Sequence, residues 1–201
     1  MIRRARSISV LAILAAGAVA TLAATQTWIH VSLTDGAAAD VAVAGTAAIP
    51  VLTPLSLAVL ALGAALSIVG RVLRIVFGAL TVAAAIGIAL LTAPVAVDVP
   101  IDAYAPSVTE TTGITGDSSV AALVAGTSVT GWPVVALLAA VVLLVAGSFV
   151  LVTGWRWPGG GRKYDAQRRR AAVADDAPLD AIDSWDDLSR GDDPTFPDAP
   201  R

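Results

Sequence analysis

The titratable side chains that could do acid–base chemistry are few, and all of them lie in predicted loops. Asp98 and Asp102 are four residues apart, a spacing that would present both carboxylates on one face of a helix. Pro100 lies between them and argues against such a helix. The other candidates share no motif spacing: His30, Asp35 and Glu110. General acid–base catalysis needs positioned titratable groups, so we expect a protein that is not an enzyme.

Metal and cofactor chemistry is not predicted either. The chain has no Cys and only 1 His, which excludes disulfides, thiolate metal sites, cysteine nucleophiles and multi-histidine clusters. We therefore assign no catalytic, cofactor-binding or metal-binding residue, and we expect no nucleic-acid partner.

The composition is that of a membrane protein. Of the 201 residues, 56% are hydrophobic and 14% are charged, with a mean hydropathy of +0.78. A soluble domain of ordinary composition carries about 25% charged residues. Aromatic residues make up 5%, so the apolar mass is aliphatic and suits helices that face lipid.

Four apolar stretches are long enough for transmembrane helices, which need about 20 residues to cross about 30 Å of hydrocarbon. They are residues 7–25, 50–69, 75–93 and 132–153, and none contains Asp, Glu, Lys, Arg or His. Because residues 70–74 are the whole connection between the second and third, these two must form an antiparallel hairpin. The first stretch could also be a cleaved signal peptide, since three arginines precede it and Ala23, Ala24 and Thr25 end it. Its length of about 19 residues exceeds the roughly 7–15 of a signal-peptide core and favours a retained helix.

The distribution of basic residues predicts the orientation. All 13 Lys and Arg residues lie in residues 1–6, 70–74 and 154–201, whereas residues 26–49 and 94–131 contain none. Basic residues concentrate on the cytoplasmic side of a membrane. We therefore predict an all-α membrane protein, a four-helix transmembrane bundle of the bacterial plasma membrane, with both termini in the cytoplasm.

Several side chains are expected at the membrane–water interface, where indole rings and basic clusters favour the headgroup layer. The tryptophans at span ends are Trp28, Trp132, Trp155 and Trp157. The basic cluster after the last span, expected to bind anionic lipid headgroups, is Arg168, Arg169 and Arg170.

Small residues recur every four positions in three of the spans, which would let helix backbones approach closely in lipid. The first span carries this spacing at Ala12, Ala16, Ala20 and Ala24. The third carries it at Ala79, Ala83 and Gly87, and the second at Gly63 and Ser67. The pattern indicates a compact bundle without specifying which helices meet.

The two outer loops could form a small cap. Residues 28–33 and 40–45 alternate in β-prone fashion around a turn with Asp35-Gly36, a pattern typical of a hairpin. The second loop, 94–131, is rich in Val, Thr and Ser and could add strands to that hairpin. A plain solvated loop is the alternative.

The composition of the inner tail changes from basic to acidic after the basic cluster. Residues 171–201 are acidic and contain proline, which predicts disorder. Within them a tryptophan and a leucine three positions apart are surrounded by acids, which indicates a short motif that folds on a cytoplasmic protein partner. The predicted partner-binding residues are Trp185, Asp186, Leu188, Arg190, Asp193 and Pro194.

Several of these segments together resemble the actinobacterial tryptophan-biosynthesis-associated membrane protein family. The matching segments are Thr27-Trp28, residues 44–50, Gly70-Arg71 with Arg74, and the tail motif 185–195. The likeness covers nearly the whole chain, is most specific in the tail and is weakest in the outer loops. It implies a setting beside tryptophan biosynthesis and transfers no catalytic residue or ligand.

Two functions remain open from the sequence besides the disfavoured enzyme. The first is a non-enzymatic accessory protein whose tail docks a soluble partner, and the resemblance suggests a tryptophan-pathway enzyme. The second is a small transporter or exporter of an aromatic metabolite. The spans offer only hydroxyl side chains inside the membrane, whereas transporters usually place ionisable groups or broken helices near the midplane.

Overall fold

The computed structural model describes residues 2–34 and 40–156 of the 201-residue chain. Four helices of this region form a bundle: α1 (Ile2–Thr25), α3 (Leu52–Leu66), α4 (Arg71–Val97) and α7 (Trp132–Thr153). Helix α7 packs against α1 and α4, and α3 closes the ring by contacting both of these helices. The remaining elements lie at one end, which we call the sheet end: β1 (Thr27–Leu33), β2 (Val41–Ala44), α2 (Gly45–Ala48), α5 (Ala105–Thr112), α6 (Asp117–Leu123) and β3 (Val124–Val129).

Three of the helices are long and apolar enough to cross a membrane: α1 over Arg6–Thr25, α4 and α7. The predicted span at residues 50–69 forms the shorter apolar helix α3, whose 15 residues extend about 22 Å at 1.5 Å per residue. The described part therefore confirms a helical membrane protein with a small sheet, and three of its helices reach membrane length. The helix ends at Leu66 because residues 67–70 turn into α4.

The outer surface of the bundle is apolar, as lipid requires. Large aliphatic side chains such as Leu11, Leu90 and Val145 are 64%, 70% and 65% exposed in the protein alone. A soluble monomer rarely exposes a continuous apolar surface of this extent. The protein is therefore a membrane protein, with lipid against this surface.

Small side chains bring the bundle helices together. A Cβ added at Gly17 of α1 would lie 3.1 Å from Leu60 of α3, and one added at Gly63 would lie 3.0 Å from Leu14. On the opposite side of the ring, a Cβ at Gly147 of α7 would lie 2.9 Å from Val82 of α4. The first span is thus an integral wall of the bundle, and its retention in the mature protein stays a prediction.

The face predicted for α1 is the packed one, whereas the face predicted for α4 is not. Ala16, Ala20 and Ala24 are buried. On α4, Ala79 and Ala83 are exposed and face away from the bundle, and of the three predicted residues only Gly87 is half-buried, with a Cβ there 3.4 Å from Leu55 of α3. The buried face of α4 is formed instead by Arg74, Gly78, Thr81, Ala84, Ala85, Ile88, Thr92 and Val95.

Candidate functional site

The sheet end is built around a completely buried tryptophan. The indole N–H of Trp28 donates a hydrogen bond of 2.7 Å to the carbonyl oxygen of Ala23, near the end of α1. The ring covers Gly45 so closely that a Cβ there would lie 2.6 Å from both Nε1 and Cε2. Trp28 thereby joins α1, β1 and α2.

A three-stranded antiparallel sheet combines both outer loops. Its strand order is β2-β1-β3, with His30 opposite Ala42 on one side and opposite Ser128 on the other. One face of β1, carrying Ile29 and Val31, is fully buried, while His30 between them is exposed. The alternation predicted from the first loop is therefore present, and the second loop adds a strand and two short helices.

Thr130 ties this sheet to the start of α7. Its backbone N–H donates to the carbonyl oxygen of Trp28 at 2.8 Å, and its hydroxyl donates to that of Thr27 at 2.8 Å. The same hydroxyl oxygen accepts the N–H of Trp132 at 3.4 Å. The cap is consequently attached to the bundle at the ends of α1 and α7.

An open, mainly apolar groove of about 350 Å³ runs beside this cap. It lies between the start of α3 and the end of α4, and Asp102 is the one charged side chain among its lining residues. The walls are formed by Ala48, Ile49, Pro50, Val51, Leu90, Leu91, Pro94, Val95, Pro100 and Ala103.

The acid–base candidates do not converge. Asp98 follows the last residue of α4, Asp102 lies in a single 3₁₀ turn and Glu110 lies in α5, each exposed, as is His30 on β1. No group of three or more metal-ligating residues occurs in the part of the chain that the structure describes. Asp35 lies outside the described residues.

At the opposite end, which we call the arginine end, a buried arginine holds three elements together. Arg74, in the first turn of α4, is 0% exposed. Its two Nη groups donate to the carbonyl oxygens of Gly154, at the end of α7, and of Val69, after α3, each at 3.2 Å. A cation at the carboxyl ends of helices is favourable because the carbonyls there carry partial negative charge. Its methylene stem packs on Gly154, where a Cβ would lie 3.4 Å from Cδ.

Two further arginines accompany Arg74. Arg6 of α1 donates through Nη2 to the carbonyl oxygen of Ser67, and Arg71, the first residue of α4, is exposed. Both are close enough to Arg74 for repulsion between the positive charges. The carboxylates of the described region all follow the sheet-end termini of the bundle helices or lie in the cap: Asp40, Asp98, Asp102, Glu110 and Asp117. Positive and negative charges thus collect at opposite ends of the bundle.

The bundle interior offers hydroxyl groups rather than charges between its ends. The hydroxyls of Thr21, Thr81 and Ser56 donate to carbonyl oxygens of their own helices at 2.8–3.0 Å. The hydroxyls of Thr53 and Thr92 are buried without a hydrogen-bond partner in the described part. No continuous line of ionisable groups crosses this part of the bundle.

The sequence-predicted interface residues are distributed over both ends. Trp132, half-buried, begins α7 at the sheet end, and Trp155, 60% exposed, follows α7 at the arginine end. Trp28 also lies at the sheet end, but protein encloses its ring; the depth of all three in a bilayer stays a prediction. The remaining predicted residues lie outside the described region: Trp157, Arg168, Arg169, Arg170, Trp185, Asp186, Leu188, Arg190, Asp193 and Pro194.

Sequence reasoning missed the roles of Gly45 and Arg74. Both belong to segments that carry the family resemblance. Their positions in the sequence, however, give no indication of which side chain or backbone group each of them contacts. One feature of the sequence could have indicated the role of Arg74. It lies one turn into a long apolar helix, where a charged side chain must either pair with another polar group or reach water.

One comparison with known proteins is informative. A protein-family model described as tryptophan-associated transmembrane protein matches residues 10–195 of the chain. No curated protein and no solved structure shows significant similarity to it.

Proposed function

Because the chain belongs to the tryptophan-associated transmembrane protein family, we propose that it is a non-enzymatic accessory protein of the plasma membrane. In this proposal its cytoplasmic tail docks a soluble partner, for which a tryptophan-pathway enzyme is the first candidate. The observation that carries the proposal is that α7 returns the chain to the arginine end, where Arg74 binds the carbonyl of Gly154. The tail therefore begins beside the basic residues.

The separation of charges supports a cytoplasmic arginine end. Basic residues remain on the cytoplasmic side during insertion because moving them across the membrane is unfavourable. Arg6 of α1 and Arg71 and Arg74 of α4 lie at the end of the bundle where α7 ends, and every described carboxylate lies at the other end. With α3 as a fourth, shorter crossing, both termini are cytoplasmic.

The tail carries the features of a docking motif on this side. Trp185 and Leu188 are three residues apart, so they would share one face if the segment became helical on a partner. The acids around them would keep the free tail soluble and favour a basic surface on the partner. Trp185 and Leu188 are the proposed anchors.

The bundle interior favours an accessory protein over an exporter. Its described hydroxyls mostly bond to their own helices, and a proton- or ion-coupled transporter would require ionisable groups near the midplane. We accordingly expect that deleting the gene leaves efflux of labelled tryptophan unchanged. A transport defect restored by the gene would instead favour the exporter.

The docking proposal is tested with the full-length protein in native membranes. Proteins that co-purify after cross-linking are identified for the wild type, for Trp185→Ala/Leu188→Ala and for a matched control, Trp157→Ala/Leu179→Ala. The control removes the same residue types from the tail but leaves the motif intact. We expect at least tenfold less of one soluble partner with the motif variant and wild-type recovery with the control. Equal recovery from all three would refute docking through this motif.

A further inference from the structure

The arginine end concentrates positive charge beyond what its structural role requires. Arg74 is engaged with the carbonyls of Val69 and Gly154 and accounts for the closure of the bundle. Arg6 and Arg71 add two more guanidinium groups close to it. No salt bridge joins either of these two to a carboxylate among the residues that the structure describes, whose acids lie at the sheet end.

The position of Arg71 is electrostatically unfavourable in the protein alone. It is the first residue of α4, where the helix dipole is positive, and no acidic residue occupies that first turn. The neighbouring charge of Arg74 adds repulsion, and Arg6 brings a third positive charge beside Arg74. A bound anion would reverse the sign of these interactions, because it would be attracted to all three groups at once.

Large apolar side chains surround the same turn. Ile68, Val72 and Leu73 are 88%, 69% and 53% exposed. Cations beside uncovered aliphatic side chains match a phospholipid, whose charged phosphate continues into hydrocarbon chains. A free inorganic anion would satisfy the arginines and leave the apolar side chains uncovered.

We propose that Arg6 and Arg71 bind the phosphate of an anionic phospholipid whose acyl chains lie against Ile68 and Val72. A guanidinium group presents up to five N–H donors in a planar fork, so Arg6 can bond the carbonyl oxygen of Ser67 and still offer donors to a phosphate oxygen. Arg71 is exposed and contributes its whole fork. The site is formed by residues of the bundle, which are a different set from the basic residues Arg168, Arg169 and Arg170 of the tail.

The test measures lipid binding to the full-length protein in an uncharged detergent. Phosphatidylglycerol is titrated against phosphatidylcholine, and bound lipid and the thermal unfolding midpoint are recorded. Each guanidinium–headgroup contact corresponds to roughly a fivefold change in affinity. We therefore expect Arg71→Gln to weaken phosphatidylglycerol binding about fivefold and Arg6→Gln/Arg71→Gln about thirtyfold, since such contributions add.

Two controls separate binding at this site from binding at the tail and from loss of folding. Arg168→Gln/Arg169→Gln/Arg170→Gln removes the tail cluster that the sequence predicts to bind anionic headgroups. We expect it to bind less phosphatidylglycerol in total but to keep the rise in the unfolding midpoint that phosphatidylglycerol causes. Arg71→Lys keeps the charge and is expected to bind more tightly than Arg71→Gln. The comparison of these two single variants stays informative if the double variant does not fold. The proposal is overturned if Arg71→Gln binds phosphatidylglycerol like the wild type, if only the tail variant loses the stabilisation by phosphatidylglycerol, or if inorganic phosphate or phosphatidylcholine stabilises the protein equally.

Discussion

The indole of Trp28 occupies the space that a side chain at Gly45 would need. A Cβ at residue 45 would lie 2.6 Å from Nε1 and Cε2 of the ring and 2.9 Å from the carbonyl oxygen of Ala24. These neighbours cannot easily retreat, because the ring is fully buried and fixed by its hydrogen bond to Ala23. The absence of a side chain at residue 45 is thus a condition for closing the sheet end.

We predict that Gly45→Ala destabilises the cap strongly. Inserting a methyl group into this contact should cost about 2 kcal/mol or more, at the upper part of the range for overpacked cores. The measurement is the thermal unfolding midpoint of the purified protein in detergent. Gly131→Ala is the matched control, because a Cβ there meets nothing within 4 Å, and it should leave the midpoint nearly unchanged.

A double variant tests whether the indole itself is the obstacle. Trp28→Phe removes the part of the ring that contains Nε1, and with it the hydrogen bond to Ala23. If contact with the ring causes the loss in Gly45→Ala, then Trp28→Phe/Gly45→Ala should be less destabilised than the sum of the single variants. Strict additivity would show that the strain arises at the carbonyl of Ala24.

We predict next that Arg74 stabilises the bundle through its geometry as well as its charge. Arg74→Gln removes charge-assisted hydrogen bonds to two backbone carbonyls and should lower the free energy of unfolding by about 2–3 kcal/mol. Arg74→Lys keeps the charge but has one ammonium group for two acceptors, so it should recover only part of that loss. In uncharged detergent without anionic lipid, Arg71→Gln should not lower the stability, because the charge it removes is unfavourable at the start of α4. Equal stability of Arg74→Gln and the wild type would contradict the role assigned to Arg74.

The parts of the fold that the sequence predicts well are those governed by local pattern. The long apolar run at residues 132–153 coincides with α7, and the alternation of Ile29, His30 and Val31 produces the observed alternation of burial. Each of these features depends on properties that can be read within one segment.

The features that sequence reasoning did not predict depend on contacts between distant segments. Ala79 and Ala83 have the spacing of a packing face, yet α4 buries the face of Gly78 and Ala85, because α7 brings Gly147 against it. The sequence indicated that the second outer loop could add strands to the hairpin, but not that β3 pairs with β1, because this pairing joins residues about a hundred positions apart. The buried position of Arg74 likewise depends on where α7 ends.

The third prediction tests the register between β1 and β3 with introduced cysteines. The chain has no cysteine of its own that could form competing disulfides. His30 and Ser128 are opposite each other on β1 and β3 and both are exposed. His30→Cys/Ser128→Cys should therefore form a disulfide, since the Cα atoms of paired residues lie about 4.5–5.5 Å apart. The control, Ser32→Cys/Ser128→Cys, is displaced by two residues and should remain mostly reduced on a non-reducing gel. Preferential oxidation of the control pair would show a different register.

The last prediction concerns sidedness, because the docking proposal requires the arginine end to be cytoplasmic. Single cysteines at two exposed positions report the two ends: Asp102→Cys beside the cap and Ile68→Cys in the turn before α4. The reagent is a membrane-impermeant maleimide, applied to cells whose plasma membrane is intact and accessible from outside. It should label Asp102→Cys in these cells and Ile68→Cys only after lysis. Leu143→Cys, at a fully buried position, is the unreactive control. Labelling of both exposed positions from outside would mean that α4, which separates them, does not cross the membrane. Labelling of Ile68→Cys alone would mean that α3 does not cross or that the whole orientation is inverted. In the second case the tail would begin outside the cytoplasm, and a soluble cytoplasmic partner could not reach Trp185.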